Sequence, residues 1–312
     1  MLMRLLTRTT AGPAVSVQYN VLEVYMKIRI ITSIVGIPLL LAIIFFSHTV
    51  VLPAAVTVFC LIGVWEMLSC LGLNKLPSIV VPSLAYAAVP TALMKYLTDW
   101  LGGFPNALAL MASLTFGYIF FLMCVAVVSH GKKDVAETSL AAMTTVYITA
   151  GFTSIEVLRG LENESLKHYG MIVFCLVFVG AWVPDIAAYF GGRAFGKHKL
   201  IPDVSPKKTV EGAITGVVFG PVAFIIVAVI VKLLGFGTPN YAAFGLAGAV
   251  VAVVSIFGDL IASLIKRKYG VKDYGKLFPG HGGVMDRFDS IIAIAPFILL
   301  LSLLPELISL VF

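Results

Sequence analysis

The chain has 312 residues, 60% of them hydrophobic and only 12% charged, with a mean hydropathy of +1.02 and a formal net charge of +6. Soluble domains carry about twice that charged fraction, so a water-soluble globular fold is excluded and an integral membrane protein is indicated. The positive balance suits anionic lipids and phosphates, but positive-inside loops need it too, so charge alone assigns no partner, and nucleic acid is not expected as one. Cys60, Cys70, Cys124 and Cys175 all fall in apolar runs without CxxC or Cys/His ligand spacing, which points to small buried hydrophobes and away from redox or zinc chemistry.

Residues 1–25 stand apart: they carry Arg4, Arg8 and several threonines, with no acid before Glu23, and Met26-Lys27-Ile28-Arg29 looks like a natural start. The expectation is a tail, a presequence or a start-site artefact ahead of a membrane domain over 26–312. From there, apolar runs of about 20 residues recur, each able to cross a hydrocarbon core of roughly 30 Å as a helix. They predict nine spans, near 28–47, 50–71, 77–97, 104–129, 138–158, 169–192, 211–234, 241–265 and 288–308. The expected fold is therefore an all-α polytopic bundle of about nine transmembrane helices. With the N-terminus inside, 18 of the 22 basic residues lie in inside segments and only Lys95, Arg159, Lys167 and Lys232 lie outside. That bias predicts a cytoplasmic N-terminus, an outside C-terminus and two large charged loops facing the cytoplasm.

Acids inside spans cost roughly 2.5–3.5 kcal/mol on insertion scales and are functional candidates by default. Glu66, Asp185 and Asp259 fall late in the second, sixth and eighth spans, at similar depth on the side of both basic loops. One metal-dependent site would produce that convergence. Glu66 is more simply a packing or pairing residue, whereas for Asp259 a functional role is favoured over the alternative of an interhelical hydrogen bond. In the eighth span Ser255, Asp259, Ser263 and Lys266 form one polar stripe at helical spacing. The loop before the seventh span carries Gly191, Gly192, Arg193, Gly196 and Lys197, then Ser205, Lys207, Lys208 and Gly212. Glycines there would let backbone N–H groups approach phosphate, although no Walker loop is present. An ordinary positive-inside loop is the alternative.

Residues 263–289 form the last charged stretch, with six cations, three carboxylates and a His-Gly-Gly turn between two apolar runs. His281, flanked by Gly280 and Gly282, could contact nucleotide phosphate or shape the turn. Asp286 and Asp289 begin the ninth span, where capping is the plainer alternative.

This stretch resembles the signature of phosphatidate cytidylyltransferases (CDP-diacylglycerol synthases), met at Ser263, Lys266, Arg267, Lys272, Asp273, Pro279, His281, Gly282, Gly283, Asp286, Arg287 and Asp289. The 182–212 segment resembles the same family's Asp…Ala-Tyr…Gly-Arg…Gly-Lys…Ser-Pro-Lys-Lys-Thr…Glu-Gly series. The resemblance implies a reaction of CTP with phosphatidate that yields CDP-diacylglycerol and pyrophosphate, in a multi-pass protein of the inner (cytoplasmic) membrane among membrane lipids, with a homodimer allowed. It implies Mg²⁺, one ion or two, because the available ligands are hard oxygens. The expected metal ligands are Asp259 and Asp286, supported by Asp185 and Asp289. Lys266, Arg267 and Arg287 are expected to act on the reacting phosphates, and Ser205, Lys207, Lys208, Ser263, Lys272, His281, Arg193 and Lys197 to bind substrate. Alternatives are another CTP-dependent prenyl-lipid transferase or kinase and, in a different class, a membrane transporter; a transporter would show paired broken helices rather than charge concentrated in two loops on one side.

Overall fold

The computed structural model describes residues 38–129, 135–161 and 168–303, together with residues 32, 34 and 36. The expected extension 1–25, residues 28–31, 33, 35 and 37 of the first predicted span and the last residues of the ninth lie outside them. Residues 38–45 are helical, and eight longer helices follow: α1 (Val51–Cys70), α2 (Pro77–Trp100), α3 (Phe104–Val128), α4 (Val135–Gly160), α5 (Tyr169–Phe195), α6 (Val210–Leu233), α7 (Tyr241–Lys268) and α8 (Met285–Leu303). Helices α1 to α7 are long and apolar enough to cross a membrane. In α8 the charges are confined to the first turns and the rest is apolar. A membrane interior offers no water to unpaired backbone, so helices satisfying their own N–H and C=O groups are the form such runs must take. The chain is an all-α, polytopic membrane bundle.

One element departs from the expected pattern. Between α5 and α6 the basic segment folds into an antiparallel hairpin of β1 (Lys199–Ile201) and β2 (Ser205–Thr209), with Lys199 opposite Thr209 and Ile201 opposite Ser205. Pro202-Asp203 supplies the turn, as Pro followed by Asp commonly does. Thr209 then caps α6, its hydroxyl accepting the Gly212 N–H at 3.2 Å.

The helices form two groups. In the first, α4 packs on α1, α2 and α3; in the second, α5, α6 and α7 pack in sequence. Helix α8 joins them, lying against α7, α4 and α5. Phe152, Phe174, Phe224 and Phe244 are fully buried within this bundle. Lipid tails are as apolar as leucine, so close packing rather than the hydrophobic effect holds such helices together, and small residues permit it. On α6 and α7, Gly220 and Gly248 face each other so closely that a Cβ on either would sit within 2.7 Å of the other's carbonyl oxygen. On α4, a Cβ at Gly151 would meet the Ile292 backbone of α8, with its oxygen 2.7 Å away.

The Gly151 contact is with backbone and cannot rotate aside. Gly151→Ala should therefore destabilise the protein by about 1–3 kcal/mol, read as a lower thermal unfolding midpoint in detergent. Gly117→Ala on α3, where nothing lies within 4 Å of the added carbon, should leave the midpoint unchanged or slightly higher.

Candidate active site

The polar stripe of α7 is where the charged groups of the second half meet. Asp259 and Ser263 are one turn apart, and the Ser263 hydroxyl donates to Asp259 Oδ1 at 3.3 Å. Strand alternation on β2 leaves Lys207 exposed and turns Lys208 inward, where its Nζ lies 2.5 Å from Asp259 Oδ2. At the end of α7, Arg267 Nε donates to the Val204 carbonyl at 3.4 Å and ties helix to hairpin. Ser205 follows in the same hairpin, partly buried.

One turn beyond Ser263, Lys266 reaches the start of α8. Its Nζ donates to Asp286 Oδ1 at 2.8 Å, and these side chains are only 11% and 4% exposed. The other oxygen, Asp286 Oδ2, accepts the Tyr274 N–H at 2.8 Å and the Gly283 N–H at 2.9 Å. Tyr274 packs its ring beneath the Lys266 ammonium, 5.3 Å from centroid to Nζ, and donates its hydroxyl to the Ala262 carbonyl at 2.8 Å. Burial pushes the pKa of this phenol up, which keeps it a donor. Glu66, only 5% exposed on α1, accepts the Val284 and Met285 N–H groups at 3.1 and 2.9 Å, the pairing role its burial requires.

Asp289, one turn along α8, and Asp185 on α5 share a cavity of about 340 Å³. Both are within electrostatic range of Asp259. The polar end of the cavity also carries Arg287 and His281, while its walls are apolar: Leu39, Leu40, Ile43, Phe59, Phe178 and Trp182. His281 sits in a turn closed by the Phe278 N–H to Gly282 carbonyl bond at 2.8 Å, and its Nδ1 lies 2.8 Å from the Thr32 hydroxyl. The histidine thus shapes the turn and borders the cavity at once.

The sequence-predicted residues divide accordingly. Asp185, Asp259, Asp289, Lys208, Ser263, Lys266, Asp286, Arg287 and His281 converge, with Ser205, Lys207 and Arg267 on the adjoining hairpin and helix end. Arg193, Lys197 and Lys272 are exposed, and none is in an ion pair among the described residues. The expected glycine-rich phosphate approach takes another form. Gly191 and Gly192 lie inside α5, where added Cβ atoms would collide with Thr215 and Thr209, so they serve the contact of α5 with α6 and its cap. Asp286, expected as a principal metal ligand, also has both oxygens engaged, Oδ1 by Lys266 and Oδ2 by the Tyr274 and Gly283 N–H groups.

Among the described residues no group of three or more His, Cys, Asp or Glu side chains is placed to hold a metal ion by itself. Mg²⁺ does not require one: it usually binds one or two carboxylates and completes its shell with water and substrate phosphate. Asp185 and Asp289, hard-oxygen donors that line one cavity, are carboxylates of the kind that demand requires.

Breaking a buried ion pair from one side leaves an uncompensated charge. Lys266→Met should cost about 3 kcal/mol in detergent unfolding. Lys266→Met combined with Asp286→Asn should cost less than the sum of the two single changes, a coupling that a double-mutant cycle reads directly.

Comparison with known proteins places this geometry. Residues 27–304 match the family model described as "Cytidylyltransferase family". A phosphatidate cytidylyltransferase of Staphylococcus haemolyticus is 32% identical over 276 residues, covering 87% of this chain and 96% of that protein. One of Staphylococcus aureus (strain COL) is 32% identical over 274 residues, with the same shares of both chains. One of Haemophilus influenzae is 42% identical over 152 residues, 46% of this chain and 52% of that protein. With the family model matched over residues 27–304 and relatives 32% identical along most of both chains, the chain belongs to the cytidylyltransferase family.

Proposed function

We propose that this protein transfers the cytidylyl group of CTP to phosphatidate, giving CDP-diacylglycerol and pyrophosphate. The carrying observation is the cavity with apolar walls and an Asp185/Asp289/Arg287 end, set beside a lysine-bearing hairpin. A lipid phosphate needs such a two-natured pocket, and a nucleoside triphosphate needs the adjoining cations. The curated relatives, which carry the name of this activity across most of the chain, support the same reading.

The attacking group is an oxygen of the lipid phosphate. Its second pKa is about 6, so it is largely ionised at neutral pH and needs no strong general base. It forms a bond to the α-phosphorus of CTP; the bond from that phosphorus to the bridging oxygen breaks, and the electron pair leaves with pyrophosphate. The obstacle is bringing two polyanions together at a low-dielectric boundary, where fixed charges act strongly. Lys207, Lys208 and Arg267 serve the triphosphate from the hairpin side, and Arg287 with His281 serves the lipid phosphate from the cavity side. Asp259 and Asp286, supported by Asp185 and Asp289, would hold Mg²⁺, which when bound supplies Lewis-acid stabilisation of phosphoryl charge. Asp286 and Lys266 hold the loop on which these groups depend. The membrane is proposed to be the inner (cytoplasmic) membrane, with the hairpin and the start of α8 on its cytoplasmic side, as the basic-residue bias favours.

Purified protein given labelled CTP should release pyrophosphate only when phosphatidate and a divalent cation are both present. CDP with a phosphorylated lipid would instead indicate a kinase. Asp289→Asn and Asp259→Asn should each lower turnover by at least about 100-fold, within the range lost when transition-state charge stabilisation is removed. Asp99→Asn, at an exposed position near the end of α2, should be close to silent. A reporter fused after Phe312 should be active only outside the cytoplasm; cytoplasmic activity would reverse the proposed orientation.

A further inference from the structure

We infer that Glu66 is a positioning residue for the transfer reaction: from α1 it sets the start of α8 and so places Arg287 and Asp289 at the polar end of the cavity. The inference rests on the cytidylyl-transfer reading above. A helix leaves its first N–H groups without partners, and at a membrane boundary each needs an acceptor. The residue just before α8 is Val284, whose side chain accepts nothing. The three consecutive N–H groups of Gly283, Val284 and Met285 are instead shared between two carboxylates: Asp286 takes the first, and Glu66 takes the other two from 218 and 219 residues away in sequence. Glu66 thus caps in trans, and the reacting end of α8 is built on it.

The glycines around this carboxylate carry the argument further. Gly280 and Gly282 have φ of +77° and +89°, which side chains other than glycine's rarely adopt. Gly275 and Gly283 are not in that region, and their backbones would admit alanine. What forbids it is Glu66: a Cβ at either position would overlap its carboxylate group. The loop therefore spends two glycines on making room for a side chain from α1. A residue that merely filled a core gap would not need its two oxygens matched to two successive N–H groups.

The test compares Glu66→Gln, Glu66→Asp and Gly275→Ala with the wild type. The amide of Gln keeps one acceptor and turns a donor toward an N–H, at nearly unchanged volume. Glu66→Gln should unfold close to the wild-type temperature, exchange backbone hydrogens faster in peptides covering 276–289, and exchange normally over 241–262 of α7. Its kcat should fall by about tenfold to a hundredfold, the range expected for slight misplacement of reacting groups. The KM for CTP should stay near wild type, because the hairpin is untouched. Glu66→Asp, which keeps both acceptors, should recover part of kcat. Gly275→Ala crowds the same carboxylate from the other side and should reproduce the exchange and kcat pattern, so it decides the matter if Glu66→Gln does not fold. Wild-type kcat and exchange in folded Glu66→Gln and Gly275→Ala would overturn the inference, as would lost turnover with unchanged exchange at 276–289. A wild-type protein that releases no pyrophosphate from CTP and phosphatidate would overturn the functional reading instead, and the exchange pattern would still decide what Glu66 holds.

Discussion

The first turn of α8 is a helix end placed among buried carboxylates, and the site depends on how those charges are matched. Asp286 accepts from Lys266 and from two backbone N–H groups, which accounts for both of its oxygens. Glu66 accepts from two more. A carboxylate removed from water is tolerated when it is paired and hydrogen-bonded, and costly otherwise. Each acid here supports the next: Glu66 fixes the helix start, Asp286 draws in Lys266 and Tyr274, and α7 is thereby held against α8. Asp259 and Asp289, one on each helix, come within electrostatic range because of that contact.

The arrangement separates two tasks on neighbouring surfaces. The hairpin presents lysines on alternate faces, with Lys208 turned to Asp259 and Lys207 left exposed. The cavity is lined by apolar side chains together with Asp185, Asp289, Arg287 and His281. An enzyme joining a water-soluble triphosphate to a membrane-bound phosphate needs these two chemistries to meet where the reacting atoms come within about 3–3.5 Å. The α7 stripe lies between them.

The stability of this framework comes from packing that only small residues permit. Gly151 against Ile292 and Gly220 against Gly248 bring helices close enough for backbone contact. In lipid, where apolar surface gains little from leaving the solvent, such contacts and buried polar pairs carry the specificity of assembly. Crowding at one crossing would displace α8, and with it both the cap and the cavity.

Much of this protein could be read directly from its residues. Runs of apolar residues long enough to span a bilayer dictate helices, because no other structure satisfies the backbone there, and the seven spans from α1 to α7 fall where hydropathy places them. The family was legible through the resemblance of residues 263–289 to the phosphatidate cytidylyltransferase signature, which fixes residue types as well as charge. Strands of three and five residues are too short for periodicity to reveal, and the hairpin appears only when β1 and β2 meet. Which acid caps, which pairs and which faces open space was decided by tertiary structure alone. Glu66, Asp286 and Asp289 are the same chemistry in the sequence, and they differ only in what the fold hydrogen-bonds to their oxygens: two distant N–H groups for the first, a lysine with two loop N–H groups for the second, and for the third a single N–H from its own neighbour beside a cavity. Spacing along a chain determines which groups can share a helix face, but the partner that satisfies a buried charge comes from another helix, and only packing supplies it.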